Sequence, residues 1–205
     1  MARTAMPRSS VSRLNELGGV RLARYDSLAG ETIMEGRLMQ IRQEIQDILD
    51  TTARDSGFSA VLRVIVKHFQ AHMGTIHGLA EGDGHLYLLG ATDGIPEPVL
   101  AASRRIPLGK GIAGASALQR KPVSLCNLQT DDSGVARPGA RATGAHGALC
   151  VPLFLGDKVV GALGIGCQGD RVFTEDETTE LLDLGRILAP YVANSLPSTR
   201  KQDLS

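Results

Sequence analysis

The stretch IPLGKGIAGASALQR, residues 106–120, places Gly109, Gly111 and Gly114 directly before a good helix-forming sequence. Two kinds of chemistry would use such a corner. The first is a phosphate-type loop, because backbone amides at a helix N-terminus favour anions. The second is a tight strand-to-helix corner beside a pocket with another occupant, because glycine allows positive φ and close approach of the backbone.

The glycines match a dinucleotide fingerprint in letters but not in context. Residues 109–114 read G-K-G-I-A-G, formally G-x-G-x-x-G, yet no βαβ unit surrounds them and GxxxxGK followed by Ser or Thr does not occur. Asp131, about 20 residues further on, falls in a polar loop rather than at a strand end. We therefore interpret the corner as geometric, with the amides of 111–114 as a candidate site for a small anionic group.

Three cysteines, Cys126, Cys150 and Cys167, form no CxxC pair. An odd number at wide spacing argues against a disulfide framework and against a zinc ribbon. We predict reduced thiols that lie in the core or line a pocket, and the alternative is a redox-sensing role.

The five histidines form no HExxH or similar metal-binding set, so no metal site is predicted. His77 alternates with Thr75 on a predicted strand, which places the two side chains on one face. Both are candidates for ligand contact. The simpler interpretation of His77 is a satisfied polar residue in the core or at its rim.

Residues 127–146, NLQTDDSGVARPGARATGAH, form a long polar loop. Such a length usually indicates function or mobility. Arg137 and Arg141 are candidates for ligand contact, because a guanidinium holds a carboxylate, nitrate or phosphate through two parallel hydrogen bonds. The alternative is a solvated lid.

The elements that would position these residues follow from periodicity. Helices are predicted at 34–53, at 58–72 and after Thr174, which forms a capping box with Glu177. The first and last helices carry narrow apolar seams at 3-4-3 spacing: Leu38, Ile41, Ile45 and Ile48, and Leu181, Leu184, Leu188 and Tyr191. Such seams are typical of coiled coils and helix bundles.

The strands are predicted in hairpins. GTIHGLA and HLYLLGAT are joined by the turn at 81–84, and ALCVPLFL and KVVGALGIGC by the turn at 156–157, both rich in glycine. The order ααββ(α)βαβ, loop, ββα predicts an α+β fold in which helices lie on an antiparallel sheet. The domain is predicted at 34–196, between flexible tails at 1–33 and 197–205.

Composition limits the partners. With 22 basic and 22 acidic residues, no net charge attracts nucleic acid or a membrane surface. No apolar run approaches about 18 residues, and the basic N-terminus is not followed by an apolar segment, so neither a membrane span nor a signal peptide is expected. A cytoplasmic location is the resulting prediction.

Three motifs in order resemble the GAF domain family: IPLGKGIAGASALQRKPVSLCNL, ALCVPLFLGDKVVGALGIG and FTEDETTELLDLGRILA. The resemblance covers about residues 38–193. It implies a GAF/PAS-like sheet of about six antiparallel strands, with the terminal helices on one face and a small-molecule pocket under the mid-chain helix on the other. The candidate ligand-binding residues are Thr75, His77, Gly111, Ile112, Ala113, Gly114, Cys126, Arg137, Arg141 and Cys150.

One GAF subfamily of similar size reduces free methionine-R-sulfoxide. Its corner reads GVCG, whereas this chain has Ala113 there and no cysteine in the 127–146 loop. Because such an enzyme needs a nucleophile and a resolving thiol within reach, Cys126 and Cys150 are the alternative pair. Bilin attachment is not expected, since no cysteine is followed by histidine, and the cyclic-nucleotide signature is not evident.

The sequence therefore predicts a non-enzymatic sensory or regulatory module that binds a small molecule, with a small anion as one candidate and no cofactor identified. The two seams favour a homodimer, against the alternative that both pack on their own sheet. A two-component signalling protein is a candidate partner, by analogy with lone GAF proteins that bind nitrate. The alternatives are a sulfoxide reductase and a structural dimerisation module.

Overall fold

The computed structural model describes residues 36–52, 54–128 and 146–196. The helices are α1 (36–51), α2 (Arg54–His68), α3 (Glu97–Ser103), α4 (Gly111–Gln119) and α5 (Glu175–Ala193). The strands are β1 (Met73–Leu79), β2 (His85–Ala91), β3 (Arg105–Pro107), β4 (Val123–Leu125), β5 (Ala148–Leu155) and β6 (Lys158–Gly166). The predicted tails and residues 129–145 of the predicted loop lie outside the described residues. The sheet belongs to one compact unit of the chain, which begins at Ile41.

The six strands form one sheet in the order β3-β2-β1-β6-β5-β4, and every neighbouring pair is antiparallel. Each half of the sheet comes from consecutive strands, β1 to β3 and β4 to β6. The halves meet where β1 pairs with β6, with Thr75 opposite Gly164 and His77 opposite Ala162. The prediction of an α+β fold with an antiparallel sheet of about six strands is confirmed.

Helices α2 and α5 pack on one face of this sheet. Most residues of the apolar seams of α1 and α5 are buried. Ile41 and Ile45 of α1 are 5% and 0% exposed, and Leu181, Leu184 and Leu188 of α5 are all 0% exposed. Most of both seams is therefore buried within a single chain, which is the alternative that the sequence left open, while Leu38, Ile48 and Tyr191 are half-buried. The buried part of the seams gives no support to a homodimer, which stays a prediction.

Polar contacts hold α1 beside α5. Arg42 donates to Asp183 at 3.0 Å, Gln46 donates to the Tyr191 hydroxyl at 2.5 Å, and that hydroxyl donates to Asp50 at 2.5 Å. The first and last described helices thus lie side by side, as the sequence predicted.

The predicted capping box opens α5. The Thr174 hydroxyl accepts from the Glu177 amide at 3.1 Å, and the Glu177 carboxylate accepts from the Thr174 amide at 2.9 Å. The prediction for α2 was less accurate, because the helix begins at Arg54 and ends at His68, four residues before each predicted boundary. Gln70, with φ of 51°, follows the end of this helix, and a left-handed residue cannot continue it.

Candidate ligand-binding site

A row of small residues runs along the centre of the sheet on the face opposite α2 and α5. A methyl group added at Gly161 of β6 would meet Val192 of α5, so the odd-numbered residues of β6 face the helices. Side chains alternate along a strand, and from Gly161 onward the opposite face of β6 therefore presents Ala162, Gly164 and Gly166. We call this row the β6 trough. Val159, nearer the start of the strand, packs against the same cluster as Ala162.

The neighbouring strands form the walls of the β6 trough. Thr75 and His77 of β1 flank it on one side and Cys150 of β5 on the other, according to the strand registers. A methyl group added at Gly164 would lie 3.4 Å from Thr75 Oγ1 and 3.6 Å from Cys150 Sγ. Both are ordinary contacts, so the floor of the trough has room for a further group at this point.

Helix α4 covers the trough. Its Ile112 and Ala113 pack against a buried cluster that includes Cys150 and Ala162. Ile112 also packs against Ala148, in a second cluster nearer the end of the trough. The roof thus contributes short or aliphatic side chains, and the hydroxyl and imidazole on β1 supply the polar groups.

The glycine corner fixes the position of α4. Gly109 and Gly111 have φ of 79° and 65°, a region that favours glycine. The Gly109 amide donates to the Gly114 carbonyl at 2.8 Å. A methyl group at Gly114 would lie 2.5 Å from the Pro107 carbonyl oxygen. Gly109 and Gly111 are therefore required for their positive φ. Gly114 is required because the backbone of α4 lies too close to the backbone of the turn to leave room for a side chain.

The first turn of α4 also offers backbone donors. The helix has nine residues and begins at Gly111. Its N-cap is Lys110, whose side chain makes no capping hydrogen bond. Backbone amides at such an uncapped N-terminus lack a side-chain acceptor.

His77 is the most distinctive polar group of this face. It is 2% exposed, and its Nε2 lies 3.1 Å from the Ser103 carbonyl oxygen. Because a carbonyl only accepts, Nε2 must carry the proton, which leaves Nδ1 as a lone-pair acceptor. Nδ1 is buried, and no described group donates to it. Burial lowers the pKa of His77 to about 4, against a smaller opposing effect of the Ser103 carbonyl, so the ring is neutral at pH 7.

Cys150 faces the trough as a protonated thiol. Burial raises its pKa to about 12, with a smaller opposing effect from its hydrogen bond with Ser116. The Ser116 hydroxyl lies 2.8 Å from the Lys121 carbonyl oxygen and 3.2 Å from that of Cys150, and its single proton is donated between these carbonyls. Because the thiolate is the nucleophilic form, this environment disfavours nucleophilic chemistry at Cys150.

The three cysteines are free. Cys150 lies in β5, with Val123 of β4 and Gly164 of β6 opposite it. Cys126 and Cys167 lie just beyond the ends of β4 and β6. No pair of the three forms a disulfide in this structure.

The predicted ligand-binding residues divide into four groups. Five of them meet at the trough: Thr75, His77, Ile112, Ala113 and Cys150. Gly111 and Gly114 shape the corner, and Cys126 is exposed beyond the end of β4. Arg137 and Arg141 lie outside the described residues. Within the described residues, no group of three His, Cys, Asp or Glu side chains could hold a metal ion, and no helix is long and apolar enough to cross a bilayer.

The sequence interpretation missed Gly164 and the Ser103 carbonyl. A signal for Gly164 was present, because β6 alternates small residues on one face with Leu163 and Ile165 on the other. No sequence signal identifies Ser103, since only the pairing of β1 with β2, and of β2 with β3, brings its backbone near His77.

Comparison with known proteins gives one family match. A family model described as GAF domain matches residues 51–193, more than half of the chain. No curated protein sequence is similar enough to count as a relative.

Solved structures with the same fold are numerous, and three illustrate their range. The GAF domain of an Acinetobacter phosphoenolpyruvate-protein phosphotransferase is 18% identical, with a TM-score of 0.64 over 77% of this chain and 93% of that one. A free methionine-R-sulfoxide reductase from Neisseria meningitidis, solved with its substrate, is 15% identical, with a TM-score of 0.61 over 77% and 90%. The A. Aeolicus nlh2 GAF domain, solved in an inactive state, is 18% identical, with a TM-score of 0.62 over 79% and 99%. At identities this low, the structural similarity establishes the shared fold alone.

Proposed function

The chain belongs to the GAF domain family, and from that premise we propose that it is a sensory or regulatory module whose small-molecule ligand occupies the β6 trough. The observation that carries this proposal is the pairing of an open floor at Gly164 with a buried acceptor, His77 Nδ1, that no described group satisfies. Leaving a buried polar group unpaired costs about 1–3 kcal/mol. A ligand group that reached Nδ1 would recover that cost, which supports a binding site at this face of the sheet.

The trough and the terminal helices share one strand, which suggests how the ligand state would be transmitted. Gly164 of β6 faces the trough, while Gly161 of the same strand approaches Val192 of α5 on the other face. A ligand shifts only those states that it binds differently. States that differ in the position of α4 or β6 would therefore be read out at α5, or by a partner protein that contacts it.

Substitution of Gly164 by leucine tests the location of the ligand. A methyl group fits there without close contact, so the rest of the leucine side chain would extend along the trough. We expect the variant to fold and to lose at least about tenfold in ligand affinity, or about 1.4 kcal/mol. Native mass spectrometry of the purified protein would detect a retained ligand, and thermal-shift screening of a defined metabolite library would supply one if none is retained.

The matched control is Gly169→Leu. Gly169 has no atom within 4 Å of an added methyl group and lies outside the sheet, so this variant should bind as the parent does. Equal binding by the Gly164 variant, folded and with its thermal transition intact, would remove the trough as the site.

A thiol-dependent sulfoxide reductase is the second candidate, because reductases of this kind from Neisseria meningitidis and Staphylococcus aureus share the fold. The chain offers it little support. Ala113 stands where that subfamily has its corner cysteine, the thiol of Cys150 has a pKa raised to about 12, and the three cysteines are free rather than paired.

A turnover assay separates the two functions. With free methionine-R-sulfoxide and dithiothreitol, we expect no consumption of sulfoxide above the rate of a triple Cys→Ser variant. Turnover that disappears in Cys126→Ser or Cys150→Ser would establish the enzyme and reverse the assignment.

Four further predictions from the sequence belong to this proposal. A small anion at the first turn of α4 would use the uncapped amides there. A homodimer would have to use surfaces other than the buried part of the seams, and sedimentation velocity would measure it. The cytoplasmic location remains a prediction from the sequence, and the two-component partner remains one by analogy with the family.

A further inference from the structure

The hydrogen-bonding state of His77 restricts what the trough can accept. The Ser103 carbonyl lies 3.1 Å from Nε2 and holds the proton on that nitrogen, because the reversed tautomer would place two lone pairs against each other. Nδ1 therefore accepts hydrogen bonds and cannot donate them. An acceptor-only group, such as a carboxylate or nitrate oxygen, would meet it lone pair to lone pair.

Protonation of His77 would remove this restriction, but protonation is unfavourable at this buried position. A charged ring would donate from both nitrogens, but the side chain is 2% exposed. Burial opposes the charged form. Within the described residues, the buried polar side chains are His77 and Ser116, and neither carries a negative charge that would stabilise an imidazolium.

The same inventory argues against a charged ligand of either sign. A buried ion needs an opposite charge and hydrogen bonds to offset its desolvation. The walls and roof formed by Thr75, Cys150, Ile112 and Ala113 contribute a hydroxyl, a thiol and aliphatic groups. The thiol of Cys150 is itself protonated, since burial raises its pKa to about 12.

We propose that the ligand of the β6 trough is an uncharged molecule that donates an N–H or O–H group to Nδ1 of His77, and that the trough rejects acceptor-only anions. This inference rests on the proposed function, because it specifies the chemical class bound at the same site. It differs from the sequence-based expectation of a small anion. That expectation used the amides of the corner and the guanidinium groups of Arg137 and Arg141, and it did not include the buried acceptor.

Acetamide and acetate are a matched pair of probes for this proposal. They have nearly the same planar shape, and acetamide has an N–H donor where acetate has a second anionic oxygen. The full chain would be labelled with nitrogen-15, and His77 Nδ1 would be followed by NMR together with the backbone amides of Thr75 and Gly164. Urea and nitrate form a second pair with the same contrast.

The expected result is a saturable shift of His77 Nδ1 and of the trough amides with acetamide and urea, and none with acetate or nitrate at equal concentration and ionic strength. The shifts should be lost in Gly164→Leu and kept in Gly169→Leu. Trough shifts caused by acetate or nitrate and lost in Gly164→Leu would show that the site binds ligands but would overturn the donor requirement. Absence of any shift with all four probes would also overturn it, while the retained-ligand and library experiments would still decide the proposed function separately.

Discussion

Replacing Gly114 with alanine is expected to destabilise the chain by about 3 kcal/mol. Alanine is normally the better helix residue by about 1 kcal/mol, so the change should stabilise α4 if only helix propensity mattered. The added methyl group, however, would lie 2.5 Å from the Pro107 carbonyl oxygen and 3.1 Å from the Gly109 nitrogen. Both are backbone atoms that cannot rotate away. The turn and α4 must therefore separate, and urea denaturation would measure the loss.

Gly57→Ala is the matched control for this substitution. Gly57 is also the fourth residue of its helix, α2, and the nearest atom to an added methyl group is Thr52 Cβ at 3.8 Å. We expect this variant to be more stable than the parent by up to about 1 kcal/mol. If the two alanine variants had the same stability, the close approach at Gly114 would not constrain the corner.

Acidification should destabilise the protein through His77. The folded-state pKa is lowered to about 4 from an ordinary value of 6.5, so between these values the unfolded chain binds a proton that the folded chain does not. Stability is therefore fully present above pH 6.5 and declines as pH falls toward 4. Between pH 6.5 and pH 5 the contribution is about 2 kcal/mol. The charged side chains on neighbouring elements, Glu97, Arg104 and Arg105, are exposed and should change this little.

The control for the pH effect is a difference between variants. The free energy of unfolding would be measured by urea denaturation at both pH values for the parent, for His77→Phe, and for an exposed histidine variant, His72→Asn. The parent and the His72 variant should lose about 2 kcal/mol more than the His77 variant. His77→Leu serves the same purpose if phenylalanine does not fit. Equal losses in all variants would mean that His77 is not the group that opposes acidification.

Local chemistry explains which parts of this fold were predictable. The turns at Gly82, Gly84 and Gly156 have positive φ, and their glycines indicated the hairpins without any tertiary information. The capping box of α5 is likewise a contact between residues three positions apart. Elements of this kind depend on the sequence within a few residues, and periodicity and turn residues are sufficient to identify them.

The site depended on information that no local pattern contains. Thr75 and Gly164 share the trough only because β1 pairs with β6, and the register of that pair joins distant parts of the chain. The seams of α1 and α5 showed that apolar surface would be buried, but not whether by the same chain or a second one. The tautomer of His77 depends on a backbone carbonyl in α3, and a backbone atom leaves no mark in the sequence.

The construction of the sheet from two consecutive halves has a consequence for how the protein folds. Strands β1 to β3 and β4 to β6 can each assemble through short-range contacts, whereas the β1–β6 pair closes a much longer loop. Loop closure costs conformational entropy, and non-local pairing of this kind is intrinsically slow. The trough lies across this last junction, with Thr75 and His77 from one half and Gly164 and Cys150 from the other. Neither half alone contains the proposed binding site, so we expect ligand affinity only when the long-range pairing is complete, and a ligand of the trough would select the fully folded chain over partly folded ones.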